Sequence, residues 1–257
     1  MDAEVIVVGG GPAGSATATL LAQAGHDVLL VDRARFPREK ACAEYLSPAT
    51  ADALARIGVL DKVEALGPTR PLGMHLIGRG GTRALVRYPD GNSSRRALCL
   101  PRRILDATLL EHARTAGVRV LEGSQVHGVS TDRDDGARVE VRAVDDPAPV
   151  RRRLRARLVV GADGARSVVS RALGLDRAVR WPNRVGLVAH VRGVAGLDHY
   201  GEMYAGQGAY CGLAPLPDGM TNVGLVLDAG TARRAGSRAA AYQAGLARLP
   251  GAGARLL

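Results

Sequence analysis

At 257 residues and 46% hydrophobic content, the chain can bury a real core as one large domain or two small ones, which sets aside a disordered or fibrous protein. Its formal charge of +10 comes from 35 basic residues, only Lys40 and Lys62 being lysines, and these are scattered rather than gathered in a stripe, which argues against nucleic-acid binding. No apolar run approaches the roughly 20 residues needed to span a bilayer. The opening "MDAEVIVV" carries an acidic flank where a secretion signal would be basic. A cytoplasmic protein is expected, and peripheral membrane contact is compatible with the sequence. Cys42, Cys99 and Cys211 show neither zinc nor disulfide spacing, so they read as reduced thiols and no metal is expected. The arginine runs at 95–96 and 151–153 sit beside turn-rich sequence and read as solvated faces.

In chain order, "VIVVGG" is a continuous β-branched run, "GPAGSATATLLAQAG" is small and helix-forming, and "HDVLLVD" is a second apolar run. Together they predict a βαβ unit. Strands that are apolar without alternation imply a parallel sheet covered on both faces. "SPATADALARIGVL" predicts a helix with Ser47 as N-cap and Pro48 in its first turn. From 72 to 99, short runs punctuated by Gly, Pro and Asp predict antiparallel strands. "PRRILDATLLEHARTAG" then spaces Ile104, Leu105, Leu109 and Leu110 as a helix closed by Gly117. "VRVLEG", an alternating pair around "DRDDG", and "LRARLVVGADG" predict a strand, a meander and a buried strand. Beyond 179, "RVGLVAHVRG", "AYCGLAPL" and "TNVGLVLD" predict more strands, followed by an Ala-rich helix and a frayed "PGAGARLL" end.

Two glycine turns carry chemistry. In "VVGGGPAG", G-x-G-x-x-G falls at Gly9, Gly11 and Gly14, directly after a strand and opening a helix. The first glycine permits the tight turn, the second lets a pyrophosphate approach the backbone, and the third packs the helix on the sheet. Asp32, 18 residues beyond Gly14, ends the second strand, where a carboxylate can accept from ribose hydroxyls. This predicts a bound dinucleotide without separating FAD from NAD(P). Arg33 fits either a 2′-phosphate contact or a surface residue. In "VVGADGARSVVSRALG", Asp163 lies between Gly161 and Gly164, either as the cap of a strand-to-helix turn or as a carboxylate facing ribose or a pyrophosphate-bound water. The loop "FPREKACAEYLSP" offers Lys40, Cys42 and Glu44. It contains no thiol–base pair, so Cys42 reads as part of a site's environment, or as a packed thiol, rather than as a nucleophile.

"GGGPAG", an Arg-x-x-Asp at Arg103 and Asp106 opening "LLEHA", and "GADGARS" together resemble the FAD-dependent monooxygenases of the p-hydroxybenzoate hydroxylase type. "FPREKACAEYLSP" narrows the resemblance to the geranylgeranyl reductase-like branch. The resemblance implies an α/β fold, a doubly wound Rossmann-like FAD-binding domain with an interleaved, mostly antiparallel substrate-binding sheet. The expected domains are 1–71 plus 99–178 for FAD, and 72–98 plus 179–257 for substrate. It implies that Gly9, Gly11, Pro12, Ala13, Gly14, Asp32 and Arg33 hold the ADP half of FAD. Arg103 would reach the phosphate or ribityl region, and Asp163 and Gly164 would support the pyrophosphate. Lys40, Cys42 and Glu44 would lie near the flavin ring, Cys42 and Glu44 as catalytic candidates, with Tyr210 and Pro215 at the substrate. The implied activity is two-electron oxidoreduction, reduction of a carbon–carbon double bond or hydroxylation, of a hydrophobic molecule such as a polyketide or terpenoid, with NAD(P)H as donor.

The chain departs from that pattern at four places. Ala43 replaces the glycine after the cysteine, and Ser170, followed by Arg171, stands where an arginine is expected. Of "Y-x-W-x-F-P", Tyr210 and Pro215 remain while Gly212 and Ala214 replace the rings, which enlarges the pocket. The "G-D-A-A…P-x-x-G-x-G" segment has no counterpart, so the sequence reads as part of a longer enzyme or as a truncated product. Two rival readings follow, a non-catalytic dinucleotide-binding fragment and an NAD(P)-dependent dehydrogenase that uses the first glycine turn alone.

Overall fold

The structure is a computed structural model that describes residues 1–88, 97–132, 136–145, 151–177, 181, 183–197 and 199–256. In chain order the elements run β1 (Ala3–Val8), α1 (Pro12–Gln23), β2 (Val28–Val31), β3 (Tyr45–Leu46), α2 (Pro48–Arg56), α3 (Leu60–Glu64), β4 (Gly73–Ile77), β5 (Arg83–Arg87) and β6 (Leu98–Cys99). Next come α4 (Arg102–Thr115), β7 (Arg119–Leu121), β8 (Ser124–Asp132), β9 (Gly136–Ala143), β10 (Arg152–Gly161) and α5 (Val168–Ala172). The last group is β11 (Arg184–Arg192), β12 (Tyr200–Ala205), β13 (Ala209–Pro215), β14 (Met220–Asp228), α6 (Ala229–Arg234), α7 (Arg238–Leu246) and α8 (Pro250–Leu256). They form two compact units, Met1–Glu39 with Arg103–Ala178, and Lys40–Arg102 with Val179–Leu257.

The first unit holds a six-stranded sheet in the order β7-β2-β1-β10-β9-β8. β7, β2, β1 and β10 are parallel, and β9 and β8 continue antiparallel. The unalternating "VIVV" and "VLLV" runs are explained by burial on both faces. Val5, Val7 and Leu30 pack with Ala18 of α1 and with Leu110 and Ala113 of α4. Ile6, Val8 and Val31 pack with Val126 and Val139 of the antiparallel arm, Leu154 of β10 and Val169 of α5. The arginine run at 151–153 opens β10 with exposed guanidinium groups paired to Glu140 and Asp2, a solvated face as expected. The run at 95–96 and the turn residues 133–135 lie outside the described residues.

The second unit holds a six-stranded sheet in the order β11-β14-β13-β12-β4-β5, antiparallel except where β12 runs parallel to β4. Alternation along β14 sorts its two faces. Val223, Leu225 and Leu227 join Cys211, Leu213, Leu246 of α7, and Leu249 and Ala252 in one core. Asn222, Gly224 and Val226 look the other way, in register with Ala214, Gly212 and Tyr210 of β13 and with His190, Val188 and Gly186 of β11.

Five features differ from the sequence expectation. Residues 40–71 and 99–102 pack with the second unit rather than the first. There β3 pairs with β6, Thr69 bridges to Cys99, and Cys99 packs on Ala214 and Leu216. The helix expected from Ser47 breaks into α2 and α3 at Gly58, whose φ of +75° stops the first helix. Ser47 stands at the cap position, but its hydroxyl meets Thr50 Oγ1 at 3.3 Å instead of a backbone N–H. β12 was not anticipated, and the expected frayed end is α8, where Ala252 is fully buried and Arg255 bonds to Glu202, Tyr204 and the Ala195 carbonyl.

The buried thiols of this second unit make stability depend on pH. Burial raises Cys99 well above its ordinary 9.0, with Glu44 adding to the effect, and burial pushes Cys211 up to about 12. Both stay protonated in the fold while the unfolded chain ionises them, so their contribution is complete below pH 9.0 and is lost as pH rises toward 12. Unfolding free energy measured in urea should therefore fall steadily across that window, and a Cys99→Ala, Cys211→Ala variant should show a flatter pH slope.

Candidate functional site

At the end of β1, chain geometry dictates glycine for two different reasons. Gly9 has φ +105°, and a Cβ there would sit 2.5 Å from the Ala162 carbonyl oxygen and 2.9 Å from the Asp163 Cα. A Cβ on Gly14 would lie 1.7 Å from the Gly9 carbonyl oxygen. These two residues are glycines because backbone occupies the space, and the same contacts bring "GGGPAG" and "GADG" together. Gly11 differs from both. Its φ of −73° suits any residue, and the nearest atom to an added Cβ is Arg38 Nη2 at 3.6 Å. It is the N-cap of α1 and supplies no side chain to the first-turn N–H groups, with Pro12 following.

Asp32 ties this turn in place. Its Oδ2 accepts from the Gly10 N–H at 2.6 Å and its Oδ1 from the Ala34 N–H at 2.7 Å. Arg33 beside it is exposed, and so is Arg103 in the first turn of α4. The arginine next to Gly11 is instead Arg38, which the sequence reading passed over. Its Nη2 pairs with the fully buried Asp106 carboxylate at 3.2 Å, and its guanidinium lies 4.8 Å over the Phe36 ring. On the other side of the turn, Asp163 Oδ2 accepts from the Val168 N–H at 2.5 Å. Asp163 Oδ1 is buried with no hydrogen-bond partner among the described residues. The helix cap there is Ser167, which accepts from the Ser170 N–H, so Asp163 is not the cap. Gly164 follows at φ +83° with open space around it.

In the second unit, the three loop candidates take unequal places. Lys40 is exposed and Cys42 is half-buried. Glu44 is 3% exposed at φ +54°, so the left-handed turn falls on Glu44 rather than on Ala43. Its carboxylate accepts from the Arg102 N–H at 2.8 Å, lies 2.7 Å from His190 Nε2, and accepts from Asn222 Nδ2 at 2.9 Å. Asn222 also donates to the Cys42 carbonyl at 2.9 Å, fixing the loop to β14. His190 keeps 36% of its side chain open. Glu44, His190 and Asn222 thus end the sheet face that carries Gly224 and Gly212, which are direct partners across β14 and β13. Tyr210 lies farther along the same face, 39% exposed, with Arg184 over its ring at 5.9 Å. Pro215 is buried at an odd position of β13, on the opposite face, so the two substrate candidates do not share a surface.

Residues 2–208 match the family described as "FAD binding domain". The chain belongs to that family. It is 37% identical over 172 residues to a menaquinone reductase of Mycolicibacterium smegmatis, covering 67% of this chain and 40% of that protein. It is 31% identical over 232 residues to a digeranylgeranylglycerophospholipid reductase of Methanosarcina mazei, covering 86% and 54%. Among solved structures, a myxobacterial chondrochloren halogenase, described as FAD-dependent, superposes with a TM-score of 0.83 at 27% identity, covering 99% of this chain and 59% of the halogenase. The chain spans about half the length of the curated relatives it matches.

FAD fits the residues present. The FAD-binding family's glycine turn here has an uncapped helix start, a glycine that packing does not demand, and a buried carboxylate oxygen still without a partner. The signals for the residues missed were faint. Arg38 lies inside a quoted motif, but only the fold turns it back toward Gly11. His190 and Asn222 are single polar residues in apolar strands, joined only by the β11–β14 register.

Glu44 anchors the second unit more than His190 does. Glu44→Ala would leave the Arg102 N–H and the Asn222 amide without their buried acceptor, at about 1–3 kcal/mol for each donor. Urea unfolding should show a loss of about 3 kcal/mol for Glu44→Ala, with a much smaller loss for His190→Ala at the open rim.

Proposed function

We propose that this chain is the FAD-holding part of an oxidoreductase that acts on a hydrophobic small molecule such as a polyketide or terpenoid, with NAD(P)H as electron donor. The observation that carries the reading is Gly11. The fold leaves both space and ordinary dihedrals for a side chain there, so its absence answers to something that approaches the backbone from outside. A diphosphate lying against the start of α1 meets that description, since first-turn N–H groups and the helix dipole favour an anion. In this reading the first unit is the FAD-binding domain and the second the substrate-binding domain.

FAD, when bound, supplies two-electron chemistry that the side chains lack. The chain's own contribution is to hold and orient. Asp32, already fixed by two N–H donors, presents its remaining lone pairs to ribose hydroxyls, and Asp163 Oδ1 accepts from the cofactor or from a water bound to it. Arg103, Gly164, Lys40 and Cys42 are cofactor residues on the resemblance alone. Burial keeps Cys99 and Cys211 as thiols, which leaves them packing roles.

The substrate surface we propose is the second unit's sheet face bearing Met203, Gly212, Gly224 and Val226, with His190 and Asn222 at its end. Gly212, which stands where the geranylgeranyl reductase-like pattern has a ring, widens that face, whereas Ala214 is buried against Cys99 and Leu216. The width suits a broad ring system. The names of the relatives, a menaquinone reductase and a digeranylgeranylglycerophospholipid reductase, favour reduction of a hydrophobic substrate. Product formed without oxygen, one for each NAD(P)H oxidised, would support reduction, whereas oxygen uptake matched to product would replace it with hydroxylation.

Two glycine variants test the cofactor assignment. Gly11→Ala should fold like the wild type yet bind FAD at least about tenfold more weakly, a loss of about 1.4 kcal/mol. Gly14→Ala should fail to reach the native fold. Flavin fluorescence titration alongside thermal unfolding reads both. A Gly11→Ala chain that binds FAD as the wild type does would count against the assignment.

A further inference from the structure

We infer that Arg38 is the side chain that meets the diphosphate of the dinucleotide, and that Asp106 is its positioning residue. The inference rests on the FAD reading above and names a contact within it. Two contacts fix the Arg38 guanidinium, and a third holds its aromatic partner. Its Nη2 is 3.2 Å from Asp106 Oδ2, its Cζ lies 4.8 Å from the centre of the Phe36 ring, and Phe36 is itself held by its N–H, which donates to Glu122 Oε1 at 2.9 Å. Phe36 in turn abuts the glycine turn, its Cζ 3.3 Å from where a Gly10 Cβ would stand.

The restraints leave one donor unused. Arg38 Nη1 is buried and has no hydrogen-bond partner among the described residues, although the side chain as a whole is only 17% exposed. Buried donors are nearly always satisfied, so an unpaired one points to an acceptor beyond the described residues, and a bound anion is such an acceptor. The open space beside Gly11 begins 3.6 Å from Arg38 Nη2. A phosphate oxygen placed there would accept from the guanidinium and from the first turn of α1 together, and Arg suits such an acceptor through its planar fork. Asp106 pairs with Nη2, and Nη1 has no hydrogen-bond partner among the described residues. The 0% exposure of Asp106 makes it a rigid anchor.

The test compares binding of FAD, ADP and adenosine by the full chain and its Arg38→Gln, Arg38→Lys and Asp106→Asn variants, with thermal unfolding as the fold control. Arg38→Gln should weaken FAD and ADP by about 10- to 100-fold, the range of a charged hydrogen bond, and leave adenosine unchanged. It should also flatten the salt dependence of FAD binding, with Arg38→Lys recovering part of the affinity and Asp106→Asn losing less than Arg38→Gln. Arg38→Gln binding ADP and FAD like the wild type would overturn the inference while leaving the FAD reading intact. Equal weakening toward adenosine would also overturn it, by showing that Arg38 acts through the shape of the turn. Wild-type chain that binds neither FAD nor ADP would remove the FAD reading and this contact together.

Discussion

A single Cβ would not fit between the Gly14 Cα and the Gly9 carbonyl oxygen, and another would not fit between Gly9 and Ala162. That steric constraint holds β1, the start of α1 and the end of β10 at backbone-to-backbone distance. Everything proposed for the first unit depends on it. Because three elements meet without side chains, the start of α1, the Asp32 carboxylate and the Asp163 backbone lie around the volume of one turn. The parallel sheet supplies the convergence, since the carboxyl ends of β1, β2 and β10 all finish at this edge.

Charge is handled differently on the two sides of that volume. Asp32 is committed to the turn, satisfying backbone donors at Gly10 and Ala34, so its first effect is to shape the loop. Arg38 Nη2 is committed to Asp106 and Asp163 Oδ2 to Val168, while Arg38 Nη1 and Asp163 Oδ1 have no partner among the described residues. Half-satisfied charged groups at a fixed geometry suit the diphosphate contact proposed for this turn. In the second unit Glu44 collects three donors, His190 stays partly open to solvent, and Asn222 Oδ1 is buried with no partner among the described residues. Glu44 is therefore an anchor of its loop, and the residue with freedom to meet another molecule is the histidine.

The second sheet owes its two-sidedness to strict alternation along β13 and β14. Leucines and valines on one side take the helices α7 and α8, and small or polar residues on the other leave a shallow, glycine-floored face. Gly212 opens the exposed part of that second side, whereas Ala214 is buried against Cys99 and Leu216.

Local sequence alone determined a good deal. The βαβ start, the two glycine turns, the α4 periodicity and the interleaving of parallel and antiparallel sheets were all legible, because each depends on neighbours within a few residues or on a period of 2 or 3.6. Gly9, Gly14 and Asp32 were legible for the same reason. What only the tertiary structure decided are the pairings across long separations: Arg38 with Asp106, Glu44 with His190 and Asn222, and the transfer of residues 40–71 to the second unit through β3, β6 and Cys99. β12 and α8 were missed because their polar residues, Glu202 and Arg255, look solvent-facing until each is found to be the other's partner. A buried ion pair leaves no periodic trace along a chain, because either half alone has the composition of a surface residue and only the fold brings the other within reach.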